Sequence, residues 1–349
     1  MSQVFFLPIK ETARLSELAT TAGLTKTLQP EDFVAVKIHF GEAGNIGFIK
    51  PHLVKPVVEL IKTQKAVPFL TDASTIYKGQ RSDAVRHSVI AAEHGFNLEN
   101  CGAPVVIADG LRGNSFVPVE IKQKHFQEVK IAHDIYYADS LVAISHFKGH
   151  ELSGFGGALK NLGMGCGAKA GKYEMHNNVL PVVDQDKCRG CQMCTRWCPA
   201  EAIDLTSGKA VINPEICIGC ADCILSCPYH AVSIKWNESF TNVQEKIVEY
   251  AAGVLANKKN KGFYFNFINF LTPQCDCYPT GDSKPLLKDI GITASLDPVS
   301  IDQASVDLVN KTAGRDLFRE VYPNIDWSDQ LQYAEKLGLG ERKYELIEL

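Results

Sequence analysis

Short runs of apolar, β-branched and aromatic residues alternate with stretches of helical spacing over the first 180 positions. Residues 4–7, 33–39, 67–71, 105–108 and 140–145 read as strands. Residues 51–65 and 81–94 read as helices, with Pro51 suited to a first turn and Gly95 to a helix end. Strands alternating with helices predict an α/β domain with a largely parallel sheet. The rhythm stops near residue 181 and resumes with a helix at 240–256, strands at 263–271 and 290–294, and a helix from Asp297-Pro298 to about Lys311. The last third has too few strands for a second α/β domain. One discontinuous α/β domain is therefore expected, spanning 1–180 and 237–349 and interrupted by an inserted α+β module at 181–236.

That interruption holds eight of the twelve cysteines, in two copies of one pattern: Cys188-x2-Cys191-x2-Cys194-x3-Cys198-Pro199 and Cys217-x2-Cys220-x2-Cys223-x3-Cys227-Pro228. Aligning the copies also pairs Gly190 with Gly219 and Val183 with Ile212, so this is an internal repeat. The spacing is that of a two-cluster bacterial-type ferredoxin, in which the fourth cysteine of each run ligates the other cluster. Cys188, Cys191, Cys194 and Cys227 are assigned to one [4Fe-4S] centre, and Cys198, Cys217, Cys220 and Cys223 to the second. Zinc ribbons also use paired CxxC elements, but they leave both Cys-Pro elements unexplained. Disulfides are disfavoured in a chain this long with no secretory segment in view.

At 349 residues and 45% hydrophobic composition, the chain can fill a substantial core. A net charge of −4 provides no basic field for nucleic acid, and no apolar run reaches membrane-spanning length. No basic leader precedes the apolar stretch at 4–9. A cytoplasmic protein is expected, with its thiolates favouring a reducing, low-oxygen environment.

A second site is expected where residues 145–169 follow a strand with the densest glycine content in the chain, since ligands in open α/β sheets bind beyond strand carboxyl ends. Gly154, Gly156 and Gly157 with Lys148 are the cofactor-binding candidates; Lys160, Lys169 and Lys172 add charge for a carboxylate or phosphate. Neither GxxxxGK nor GxGxxG is present, so nucleotide binding is not indicated. His39, His150, His176 and Lys160 are the candidate catalytic groups, with His146 beside them. Asp72, Ser74, Thr75 and Tyr77 follow another strand and can line the same crevice. Cys275 and Cys277 sit too close for a relaxed disulfide and form a candidate third metal or redox site. Cys101 and Cys166 read as packing residues.

Lys37-Ile38-His39-Phe40-Gly41-Glu42, Thr71-Asp72-Ala73, the stretch 145–165, Asp276-Cys277 and Asp289-Ile290-Gly291 through Asp297-Pro298 resemble domain-of-unknown-function family 362, in the form carrying a two-cluster ferredoxin. The resemblance spans nearly the whole chain and implies an iron-sulfur protein without assigning a reaction. A remoter similarity is to the nickel-pincer lactate racemase family. It rests on His150, Lys160 and His176 around a Gly-Phe-Gly-Gly turn, and by that analogy these are a proton-transfer residue, a cofactor attachment point and a metal ligand.

The expected function is an iron-sulfur oxidoreductase. Its two clusters receive single electrons from a redox partner protein and pass them to a small-molecule substrate, or to an additional metal or organic cofactor, in the crevice. The alternatives are a non-enzymatic electron carrier or assembly factor, and an isomerase-type proton-transfer enzyme with structural clusters.

Overall fold

The computed structural model describes residues 1–176, 180–233, 238–277 and 284–349. The expected module boundary at 236/237 and the loop residues Tyr278 and Pro279 lie outside them. Eight strands form the main sheet: β1 (Ser2–Pro8), β2 (Phe33–Ile38), β3 (Val67–Asp72), β4 (Val105–Ile107), β5 (Ser140–His146), β6 (Gly262–Ile268), β7 (Gly291–Ser295) and β8 (Tyr344–Glu348). Their spatial order is β8-β1-β7-β6-β5-β2-β3-β4.

Five of the seven neighbouring pairs are parallel, and the two antiparallel ones both involve β7. The expected α/β class with a largely parallel sheet is what the structure has. β8 was not anticipated; its sequence, YELIE, is short and polar. Strand β6 stops at Ile268, three residues before its predicted end, because the chain turns there toward the cavity described below.

Central strands read as continuous apolar runs because both faces are covered. Val34, Val36, Ile38, Val142 and Ile144 face one core, while Ala35, Leu141 and Ala143 face the other. Helix α1 (Pro51–Thr63) buries Leu53, Val54, Val57, Val58 and Ile61, one stripe of its surface, in the first core. Helix α2 (Ala84–Glu93) starts at an Asp83 cap that accepts from the Arg86 N–H, three residues after the predicted start.

Helices α3 (Ala158–Cys166), α5 (Phe240–Leu255) and α6 (Pro298–Ala313) cover the other face; α4 (Lys169–His176) leads toward the cysteine repeat. Asp297 caps α6 by accepting from Val299 and Ser300 N–H, and Gly314, at φ +69°, closes it. α3 and α5 cross so closely that a Cβ on Gly163 would sit 2.0 Å from the Ile247 carbonyl oxygen.

Residues 182–233 carry small two-stranded ladders, 182–183 with 232–233 and Ile203–Thr206 with Lys209–Ile212. Two short helices, Met193–Arg196 and Asp222–Ser226, complete the segment. Its core contains Cys188, Cys194, Cys223 and Cys227, joined by Ile76 and Tyr173 from the sheet-bearing part.

Candidate functional site

From β2, the sheet grows toward β3 and β4 on one side and toward β5 and β6 on the other. This reversal opens a crevice at the strands' carboxyl ends. A cavity of about 710 Å³ occupies it, lined by Lys37 and His39 from the end of β2, Asp72 from β3, and Ser145 and His146 from β5. His150, Lys148, Gly156, Gly157, Lys160, Lys172 and His176 also reach it, as do Asp72, Thr75, Tyr77, Cys275 and Cys277. Gly154, at φ +75°, lies instead against Trp327; a Cβ there would meet the Trp327 Cβ at 2.6 Å. Ser74 turns away to donate to Asp109, and Lys169 pairs with Asp222 of the cysteine repeat at 3.0 Å. Cys101 and Cys166 are buried in packing, as expected.

The cavity wall is a lattice of paired charges. Lys37 Nζ lies 2.9 Å from Asp72 and donates to Asn161 Oδ1 at 2.8 Å. Arg81, almost wholly buried, reaches Asp72 and Glu42 at 3.4 Å each, Cys277 Sγ at 3.5 Å, and the Tyr77 hydroxyl. Burial opposes ionisation of Asp72, but Lys37 and His87 hold its carboxyl well below the usual range. Asp276 is held down in the same way by His146 at 2.9 Å and Lys148 at 3.0 Å. Glu42 and Arg81 were missed in the sequence, because no local spacing links them to the glycine-rich stretch; Asn161 lies within that stretch but was not singled out among its residues.

His39 Nδ1 accepts from the Gly41 N–H at 3.0 Å, so its Nε2 is left to face Cys277 Sγ at 3.6 Å. The Cys275 thiol, His39 and Arg81 together pull Cys277 well below the ordinary thiol range, while donation to Cys277 pushes Cys275 up. Burial, then the charge of Lys160, depresses His150 and His176, the latter to about 3. Both are neutral at pH 7, able to accept a proton or hold a metal. Burial also lowers Lys172 to about 8; it donates to the Gly165 and Gly167 carbonyls. Six lysine and arginine side chains line the cavity against three carboxylates, so the wall suits an anion. Lys160 has no ion-pair partner among the described residues.

The cysteine repeat is repeated in its backbone. Gly190 and Gly219, Gln192 and Ala221, and Glu201 and His230 form three matched pairs with positive φ, from 51° to 67°. These left-handed turns curl each loop so that backbone N–H groups point at sulfur. Ala202 N–H donates to Cys198 Sγ and Ala231 N–H to Cys227 Sγ, each at 3.2 Å. Cys188, Cys191, Cys194 and Cys227 line one small hollow. Cys198 lies within electrostatic range of Cys220 and Cys223, as Cys227 does of Cys194. The segment is therefore rich in converging sulfur ligands suited to metal. Separately, His150, Glu151 and Cys275 place one ligand atom each within 4.8 Å of one another.

An α/β fold with a cationic cavity at its strand-order reversal, next to a cysteine-rich segment that can bind metal, defines the class. The family model described as Domain of unknown function (DUF362) matches residues 34–307, and the chain belongs to that family. No curated protein matches it. Among solved structures, the chain is similar to the lactate racemase apoprotein from Thermoanaerobacterium thermosaccharolyticum, at 13% identity and TM-score 0.39, over 77% of this chain and 51% of that one. It is also similar to a structural-genomics target from Thermotoga maritima, at 11% identity and TM-score 0.42, over 88% and 59%. The chain thus spans little more than half the length of either. No helix among the described residues is long and apolar enough to cross a membrane.

Proposed function

We propose that the chain is an iron-sulfur redox protein in which two [4Fe-4S] clusters pass single electrons to an anionic substrate or cofactor in the cavity. Cys188, Cys191, Cys194 and Cys227 hold one cluster; Cys198, Cys217, Cys220 and Cys223 hold the other. Residues 181–236 act as the conducting module of a discontinuous α/β domain. The observation that carries this reading is the direct packing of the cysteine repeat on the cavity wall. Lys78 and Ile76 line the cavity, yet Lys78 donates to the Cys227 carbonyl and Ile76 shares a core with four of the cysteines. Tyr173, next to cavity residue Lys172, packs on Gly219 between Cys217 and Cys220.

At the other end Cys191, Ile216, Ile218 and Tyr229 are exposed around the cysteine loops and offer a redox partner an apolar landing face. Within the cavity, Lys160 and Lys148 hold the anion, and His176, neutral, takes or returns the proton that accompanies reduction. His39 orients the Cys277 sulfur. The clusters supply one-electron chemistry when bound.

The test is anaerobic purification followed by iron and sulfide analysis and EPR after dithionite. About eight irons and eight sulfides per chain, with signals from reduced cubanes, are expected. Colourless protein that takes up no iron on reconstitution overturns the reading. If Lys160→Ala leaves electron delivery to every acceptor unchanged, the chain is a carrier and the cavity has no part in the transfer.

A further inference from the structure

The His150 ring is oriented in a way that electron transfer alone does not require. Ser153 Oγ donates to the Phe155 carbonyl at 2.8 Å, so its lone pair is what faces His150 Nδ1 at 2.9 Å. The Leu152 N–H donates to the same nitrogen at 3.4 Å, a longer contact than the Ser153 one. Nδ1 is thereby held by two groups of the protein, and Nε2 is the ring nitrogen left to the cavity, 4.0 Å from a Glu151 oxygen. Metal-binding histidines are held in the same way, through the outer ring nitrogen, while the inner one is left to bind. Cys275, buried and on another loop, brings its sulfur within 4.8 Å of both, and all three residues line the cavity.

We infer that His150, Glu151 and Cys275 form a binding site for one divalent transition-metal ion, separate from the cysteine repeat, with a coordination position open to the cavity. One imidazole, one carboxylate and one thiolate suit an ion of borderline softness such as zinc, whereas magnesium and calcium take oxygen ligands alone. Three protein ligands leave the fourth tetrahedral position to the cavity's occupant, and the cationic wall around Lys148 and Lys160 presents an anionic oxygen to it. Binding breaks the Cys275 S–H bond, forms the metal–sulfur bond and releases one proton to solvent. The site depends on neither cluster, so its failure and that of the iron-sulfur reading are separable.

The probe is zinc. Full-length protein, reconstituted with iron and sulfide, is stripped of loosely bound metal, and zinc uptake is measured by competition with a chromophoric chelator. One zinc per chain with iron unchanged is expected, and zinc-edge X-ray absorption should show one sulfur near 2.3 Å and nitrogen or oxygen neighbours near 2.0 Å. Cys275→Ser and Glu151→Gln should each weaken binding at least tenfold. Ser153→Ala, which leaves all three ligands in place and frees the ring, should weaken it roughly tenfold with the same absorption signature. A four-sulfur zinc environment, or affinity unchanged in Cys275→Ser and Glu151→Gln proteins of native circular dichroism, overturns the inference. In either case the iron and EPR measurements stand as an independent reading of the clusters.

Discussion

Around the cavity, buried charged side chains are fastened to one another, whereas across residues 182–233 five of twelve buried apolar positions are cysteines and the ladders are only two strands wide. The first region is set in shape by the protein's own ion pairs and by an eight-stranded sheet. The second has little core, and four of its cysteines line one small hollow, so on the proposed function a bound group supplies much of its cohesion. On the proposed function, the chamber is rigid by itself whereas the conducting part is conditional on metal. Lys169 with Asp222, and Arg112 stacked 3.5 Å from the Trp197 ring centre, weld one to the other.

Stripping the metal should break this contrast most sharply. Removing iron, or replacing both Cys194 and Cys223 with Ser, should abolish hydrogen-exchange protection across 182–233, a loss on the order of 10 kcal/mol if clusters act as structural zinc does. β2, β5 and β6 should stay protected. Protection that survives in the iron-free segment would mean the repeat is self-supporting. Next in size, Lys37→Ala leaves Asp72 buried with weaker partners and should cost about 3–5 kcal/mol in denaturant unfolding of the sheet, with iron binding retained.

A pH experiment separates the regions more finely. Burial pushes the Asp302 carboxyl up to about 6, although it accepts from Ala158 and Leu159 N–H and from Asn266. Its ordinary value is about 4, so between the two the folded protein binds more protons than the unfolded chain. Stability should fall by about 2–3 kcal/mol as pH rises from 4 to 6 and then level off. Asp302→Asn should remove that slope; a slope that persists assigns it to other groups. The smallest effect is expected at half-buried Lys160. Lys160→Ala should change unfolding by no more than about 0.5 kcal/mol while weakening anion binding to the cavity, as measured by calorimetry.

The two regions also differ in how legible they were. Cysteine spacing is a local signal: cysteines three positions apart share one loop, and the matched left-handed turns at Gln192 and Ala221 follow from the same repeat. The cavity is non-local. Strand-end reasoning put the cavity beyond the carboxyl ends of the parallel strands, and His39, His150, His176 and Lys160 all line it, although Lys160 and His176 reach it from helices α3 and α4. Arg81 and Glu42 escaped because their partnership depends on how two loops fold over that edge, which no periodicity encodes. Strand direction is equally silent in an apolar run, so β7 was expected as a strand but its antiparallel setting was not. Gly154 shows the limit of glycine density as a sign of ligand contact, since its left-handed backbone serves a close approach to Trp327.

The ladder joining Val182 and Val183 to Ser233 and Val232 has a consequence for how such chains can change over generations. Because the polypeptide departs and returns at adjacent points, residues gained or lost between them shift no strand of the main sheet. Inheritance can lengthen, shorten or replace that excursion at a cost that grows only slowly with loop length. A single-residue slip within strand 140–146 has no such freedom, since it would turn His146 away from the chamber and bring its neighbours round in its place.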